Sequence, residues 1–264
     1  MRPGERLAAR LFAARAEERL ALLPYLVAGH PDTRGFDQLL VRVAAQADVV
    51  ELGLPFSDPT ADGPVIAAAA RRALANCVHF GWVCALATSV RERTDAGLVL
   101  MSYLNPLLAV GLARAVAELV AAGFEGLIVP DLPLEESAEL RAIADAHGLA
   151  LVQLVTPLTP ASRALAIARA SRGFLYAVTR AGTTGARAEP GAIAGYLRGL
   201  RALSPVPVCA GFGLRDAAQV RALRGAADGV VVGSALVELQ ERGEDSVPFL
   251  AALRAAGVTA EVLP

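Results

Sequence analysis

Eight short apolar runs alternate with helical patterns along 264 residues, and no linker or low-complexity stretch divides them. The fold class they predict is α/β: one (β/α)8 TIM barrel spanning residues 1–264, with an N-terminal helix and an extra short helix after strand 8. The spacing agrees, because 264 residues over eight units gives about 33 residues for each strand, helix and pair of loops.

Taken in order, the first stretch is rich in arginine and alanine, as an organellar presequence is. Glu5, Glu17 and Glu18 argue instead for a short amphipathic helix closing the base of the domain. Residues 22–29 read as the first strand, and the turn 30–33 supplies Asp32 or Thr33 to cap a helix running to Gln46. The second strand is the apolar run 47–54, which carries Glu51 inside a segment otherwise built for a core. Residues 65–93 give helical material broken near Gly81, and further strands follow at 97–103, 126–131, 150–156, 174–179, 207–211 and 228–233. Between them, a helix from Glu135 to His147 ends at Gly148 as at a C-cap, and Thr159-Pro160 suits the N-cap and first positions of the next. Gly233-Ser234 opens the extra helix, 235–241.

Composition narrows the function. A net charge of −1 with 55% hydrophobic residues gives no bias toward polyanions, so nucleic acid is not an expected partner. No apolar run reaches the length of a membrane span, and three cysteines without a CxxC pair read as reduced thiols. A soluble cytoplasmic protein is expected. All 25 basic residues are arginine, which closes Schiff-base and lysine-acid chemistry to this chain.

In such a barrel the active site lies at the C-terminal ends of the strands. Two carboxylates meet there: Glu51 on the second strand, and Asp62 near the far end of the loop marked by Pro55, Ser57, Asp58, Pro59 and Gly63. Tyr25, Tyr103 and Tyr176 fall on the first, third and sixth strands and Phe212 follows the seventh, either as core packing or as an aromatic pocket. A buried hydroxyl needs a polar partner, which favours the pocket for Tyr103 and Tyr176. Glycines gather after the last three strands, at Gly182 and Gly185, Gly211 and Gly213, and Gly233 beside Ser234. With the helix opened by Gly233-Ser234, that is a phosphate cradle. The loop 180–190 has the length and the glycines of a lid. His30, His79 and His147 are scattered, and no metal site is expected.

The assembled residues resemble the tryptophan synthase α subunit family. The resemblance is carried by Pro-Phe-Ser-Asp-Pro-Thr-Ala-Asp-Gly-Pro at 55–64, with Glu51 upstream, and it extends over nearly the whole chain. It includes Tyr-Leu-Val-Ala-Gly-His-Pro at 25–31, Leu-Met-Ser-Tyr-Leu-Asn-Pro at 100–106, Val-Pro-Asp-Leu-Pro-Leu-Glu-Glu-Ser at 129–137 and the three glycine sets. The resemblance implies retro-aldol cleavage of indole-3-glycerol phosphate to indole and glyceraldehyde 3-phosphate, with neither metal nor cofactor. Glu51 would shuttle protons and Asp62 would accept a hydrogen bond from the indole N–H. It further implies that Gly185, Gly213, Gly233 and Ser234 hold the phosphate and that Tyr176 and Thr184 line the site, Thr184 fastening the lid toward Asp62. Pocket volume near Tyr25, Met101 and Phe212 would set selectivity for the indole ring. Asp131 would be a structural or lid-contacting acid. Pro55 and Asp58 become candidate contacts with a β subunit, a pyridoxal-phosphate enzyme that receives indole in an α2β2 complex, although Asp58 also suits a turn.

His30 stands where the family has aspartate, Thr60 where an apolar residue is common and Ala67 where glutamine is usual, all at the partner face or the first turn beside it. A stand-alone lyase releasing free indole is therefore an alternative, and a catalytically silent regulatory subunit another. Related phosphate-binding barrels fit less well: indole-3-glycerol phosphate synthase would want a lysine, and phosphoribosyl isomerases a second phosphate site.

Overall fold

The computed structural model describes residues 1–179, 190–211 and 213–259. Eight parallel strands among them close into a barrel in chain order: Ala21–Val27 (β1), Val49–Gly53 (β2), Gly97–Met101 (β3), Gly126–Ile128 (β4), Ala150–Val155 (β5), Leu175–Val178 (β6), Val208–Gly211 (β7) and Gly229–Val232 (β8). β8 pairs back onto β1, Leu23 opposite Val231, so no sheet edge is left open. The strands are buried along nearly their whole length because helices cover their outer face, which is why each reads as an apolar run. No helix among the described residues is long and apolar enough to cross a membrane.

The N-terminal helix, Pro3–Ala16, lies under the strands' N-terminal ends, as the sequence indicated. Leu7, Leu11 and Ala14 are fully buried, and the Leu7 tip fills space that a Cβ at Gly126 or Gly173 would enter at 2.8 and 2.7 Å. Four arginines of this segment then meet three acids at the heads of strands. Arg6 and Arg10 each stand 3.2 Å from buried Glu125, Arg15 stands 3.7 Å from Asp228, and Arg19 clasps Asp48 through two bonds of 2.8 Å. The acids are also tied to backbone: Asp48 accepts the Leu22 N–H and Asp228 the Val208 N–H, each at 2.8 Å. One end of the barrel is thus closed, and the other is left to the loops.

Helix boundaries differ from expectation at several points, among them the helix read from Glu135, which begins at Ala138 after a short turn of 3-10 helix at Leu134–Glu136. The helix after β1 is Phe36–Ala44, entered through left-handed Gly35 (φ 73°), because the Asp32 carboxylate is occupied by the Arg34 N–H at 3.0 Å and its guanidinium at 2.8 Å. The next helical stretch is in two pieces, Pro64–Ala75 and Phe80–Val90, with its break at 76–79, near Gly81 as expected. Cys77 there takes the left-handed position (φ 58°) that glycine usually holds, and the Val78 N–H returns to Ala73 O at 3.1 Å to close the helix end. His79 caps the following helix, its Nδ1 accepting the Trp82 N–H at 3.3 Å. Pro160 sits at the N-cap of Ala161–Ala170, one place earlier than read, while the Thr159 hydroxyl accepts the Thr156 N–H within the preceding loop.

Truncating the floor is expected to be felt throughout the barrel. Leu7→Ala should lower unfolding stability by about 2–5 kcal/mol, read as a fall in the urea midpoint at unchanged slope. A midpoint equal to wild type would show that the helix does not support the strands above it.

Candidate active site

Glu51 is the third residue of β2 and points into the barrel with 0% exposure, and neither carboxyl oxygen has a hydrogen-bond partner among the described residues. Burial pushes its pKa up to about 8, so the group carries its proton at neutral pH. Beyond β2 the chain runs through buried Leu54 and Pro55 into the loop, where the Phe56 ring leans on Tyr103 with centroids 5.3 Å apart. The Tyr103 hydroxyl then holds the loop's return: it accepts the Ala61 N–H at 2.9 Å and donates to Asp62 Oδ2 at 3.1 Å. Burial raises the Asp62 pKa to about 6, the Tyr103 bond pulling the other way, so Asp62 is mostly ionised at neutral pH. An acid on β2 and an acid on the loop that follows it therefore stand on opposite sides of pH 7.

Tyr25 and Tyr176 complete this cluster. Tyr25 on β1 is the register partner of Glu51, and burial, with the charges of Asp62 and Glu51, keeps its phenol protonated. Tyr176 on β6 is held likewise by burial and then by Glu51. Both rings lie across strand glycines. A Cβ at Gly53 would stand 2.0 Å from the Tyr25 hydroxyl, and one at Gly211 would stand 2.3 Å from that of Tyr176. Met101, half-buried at the end of β3, sits in register between Gly53 and Ile128 at the same rim.

The described part of the glycine cradle lies at the mouth. Gly213 adopts φ 89°, a value that favours glycine, and Gly233 leads from β8 into the helix Ser234–Glu241. The N–H groups of Leu236 and Val237 are taken by the Gly233 carbonyl at 2.8 and 3.1 Å. Those of Ser234 and Ala235 are left without an intrahelical acceptor at a positive helix end. Thr184, Gly185 and Phe212, with most of the expected lid loop, lie outside the described residues.

Around the rim, Asp58 is exposed and accepts the Ser57 hydroxyl at 2.5 Å, whereas Pro55 is buried. Asp131 ties two loops together by accepting the Leu104 N–H at 3.0 Å. Thr60 is exposed, but His30 is fully buried, its Nε2 3.3 Å from Glu241, and so presents nothing to a partner. Burial lowers its pKa and keeps the ring neutral. Sequence reasoning missed the anchoring of the Asp62 loop by Tyr103 and the notch at Gly53. The available signal was a glycine inside an otherwise apolar strand, two places beyond the charged residue.

Comparison with known proteins gives the family and the fold. The family described as tryptophan synthase alpha chain matches residues 11–259. The chain is 47% identical over 235 residues to a tryptophan synthase alpha chain of Synechococcus sp. (strain CC9902), covering 88% of this chain and 87% of the relative. It is 43% identical over 249 residues to that of Nitratidesulfovibrio vulgaris (strain DP4), covering 94% and 97%. Among solved structures it resembles the aminoacrylate-bound tryptophan synthase of M. tuberculosis, with TM-score 0.87 and 33% identity over 96% of this chain and 99% of that one. It also resembles the alpha subunit from Legionella pneumophila str. Paris, with TM-score 0.88 and 32% identity over 97% and 98%.

Two titrations test the electrostatics. Tyr103→Phe removes a hydrogen bond to the ionised form of Asp62, so the Asp62 pKa should rise above its value of about 6. Carbon-13 NMR of the aspartate carboxyls would register this, and an unmoved titration would refute the bond. Glu51 binds its proton more tightly folded, at about 8, than at its ordinary 4.5, so it subtracts stability as pH rises through that window. Glu51→Gln should therefore lose less stability than wild type between pH ~5 and ~8 in paired denaturant titrations, and parallel curves would contradict the burial effect.

Proposed function

The chain belongs to the tryptophan synthase alpha chain family, lyases that cleave indole-3-glycerol phosphate in tryptophan biosynthesis, and we propose that Glu51 and Asp62 carry that cleavage at the barrel mouth. The observation that carries the reading is the separation of the two acids: Glu51 protonated up to about 8, Asp62 ionised down to about 6. Between those values one group can give a proton while the other stabilises positive charge.

In the reading offered here, the substrate phosphate lies against the N–H groups of Ser234 and Ala235 with Gly213 beside it. The indole ring lies among Tyr25, Met101, Tyr103 and Tyr176. Asp62 accepts the indole N–H, and Glu51 gives its proton to ring carbon C3, forming a C–H bond and leaving a carboxylate. That carboxylate takes the proton of the glycerol hydroxyl on the carbon attached to C3. The C–C bond breaks, its electron pair returns to the ring, and indole and glyceraldehyde 3-phosphate are released. Glu51 ends protonated as it began. By the same reading Thr184, Gly185 and Phe212 complete the lid, cradle and pocket.

Membership as an alpha chain implies a β-subunit partner. We read the loops around the mouth as its docking rim, in an α2β2 assembly. Asp58 is exposed there, and Leu108 (53% exposed) and Leu158 (77%) present apolar side chains on the loops and helices that follow β3 and β5. The similar proteins favour this over a stand-alone lyase. A cytoplasmic location fits the three free thiols.

The deciding assay is indole release from indole-3-glycerol phosphate by purified protein, alone and with a tryptophan synthase β subunit. Wild type should cleave and be stimulated by β, while Glu51→Gln and Asp62→Asn fall by ~10² or more. Absence of indole under both conditions would overturn the assignment, and full activity without stimulation would favour the stand-alone enzyme.

A further inference from the structure

The glycine at position 53 explains where the proton-carrying carboxyl goes. Side chains at 51 and 53 lie on the same face of β2, about 6.6 Å apart along the strand, and position 53 is nearer the mouth. The place of the missing Gly53 side chain is taken by the Tyr25 hydroxyl, which would stand 2.0 Å from a Cβ there. The other edge of the same ring packs on the cradle, its Cδ1 3.3 Å from where a Gly233 Cβ would be. Tyr25 therefore spans from the phosphate end of the site to the spot directly above Glu51. To reach a substrate at the strand ends, the Glu51 side chain must swing toward that spot.

We propose that the Tyr25 hydroxyl is the hydrogen-bond donor that receives the Glu51 carboxylate as it swings toward the mouth and gives up its proton. The inference rests on the assignment of Glu51 as proton carrier. The carboxylate forms in a dry site, and leaving it without a donor is costly. The titratable groups facing Glu51 are Tyr25 from β1, Tyr176 from β6 and Cys209 from β7, and all three are held protonated by burial and neighbouring carboxylates. Of these, Tyr25 is the one whose hydroxyl lies over Gly53, on the strand that carries Glu51 and two residues nearer the mouth. No proton leaves the phenol: the O–H donates while Glu51 is ionised, and Glu51 is reprotonated by the substrate hydroxyl. Tyr25 is in this sense a positioning residue as well as a wall of the pocket.

The test is Tyr25→Phe, which keeps the ring that fills the space between Gly53 and Gly233, with its thermal midpoint compared with wild type to confirm the fold. A bond to the ionised form lowers a carboxyl's pKa, so its loss should raise that of Glu51. In the cleavage assay kcat should fall by ~10–10² with KM changed less than about 2-fold, and the alkaline limb of the kcat/KM profile should move to higher pH. An unchanged alkaline limb, whether or not KM rises, would show that Tyr25 only packs or contacts substrate, and would overturn the inference. Glu51→Gln is run in parallel. If it loses activity while Tyr25→Phe behaves as wild type, only the Tyr25 role fails; if it remains active, the assignment of Glu51 fails first.

Discussion

A carboxyl group with no hydrogen-bond partner among the described residues, held fully inside a closed barrel, is the constraint on which the site depends. Leaving such a group dry is unfavourable by several kcal/mol in its charged form, and the protein meets that by keeping it neutral up to about pH 8. The surrounding structure makes the burial possible. β2 is flanked in the closed sheet by β1 and β3, and the rings of Tyr25 and Tyr176 screen Glu51 from solvent. The two glycines that admit those rings are as much part of the acid's environment as the rings are. A side chain at Gly53 would push the Tyr25 hydroxyl away from the strand that carries Glu51.

The two ends of the barrel treat buried acids in opposite ways. At the floor, Asp48, Glu125 and Asp228 are clasped by arginines and backbone N–H groups, and each helps hold the N-terminal helix or a strand start in place. At the mouth, Glu51 has no described partner and Asp62 has one neutral phenol. The acids at the floor are engaged in holding structure, whereas burial without a described partner raises the proton affinity of Glu51 and suits it to the proposed chemistry. The same residue types thus acquire different roles through what stands beside them.

Much of this was legible in the sequence because the relevant patterns are local. The strands are apolar runs of fixed spacing, and the charged residue in the second run identifies itself by being out of place. The loop motif at 55–64 delivers Asp62 to the same mouth. What was not legible depended on the chain taking unusual local choices or on distant contacts. Cys77, not a glycine, occupies the left-handed helix end that makes the break near Gly81, and no glycine marks that position in the sequence. The Arg34 grip on Asp32 removed the expected cap. The role of Tyr103 comes from a contact 41 residues away that no local pattern encodes, and that of Gly53 from a ring on the neighbouring strand, which the glycine inside an apolar run only hints at.

The lysine-free composition bears on the site as well as on what it excludes. Every cation in the chain is an arginine with a long, planar, permanently charged head, and the described ones are engaged mainly at the floor and on the outer helices. None of the described arginines contributes to the proton affinity of Glu51, which burial raises, nor to that of Asp62, which burial and Tyr103 set. An arginine beside Glu51 would stabilise its carboxylate and pull its pKa back toward or below the ordinary range, removing the proton that the first step requires. Among the described residues, no fixed positive charge stands beside either acid, as the proposed chemistry requires. In the proposed reading the substrate phosphate would meet the N-terminus of the helix Ser234–Glu241 on the opposite side of Tyr25, where backbone N–H groups supply positive potential without a full charge against Glu51.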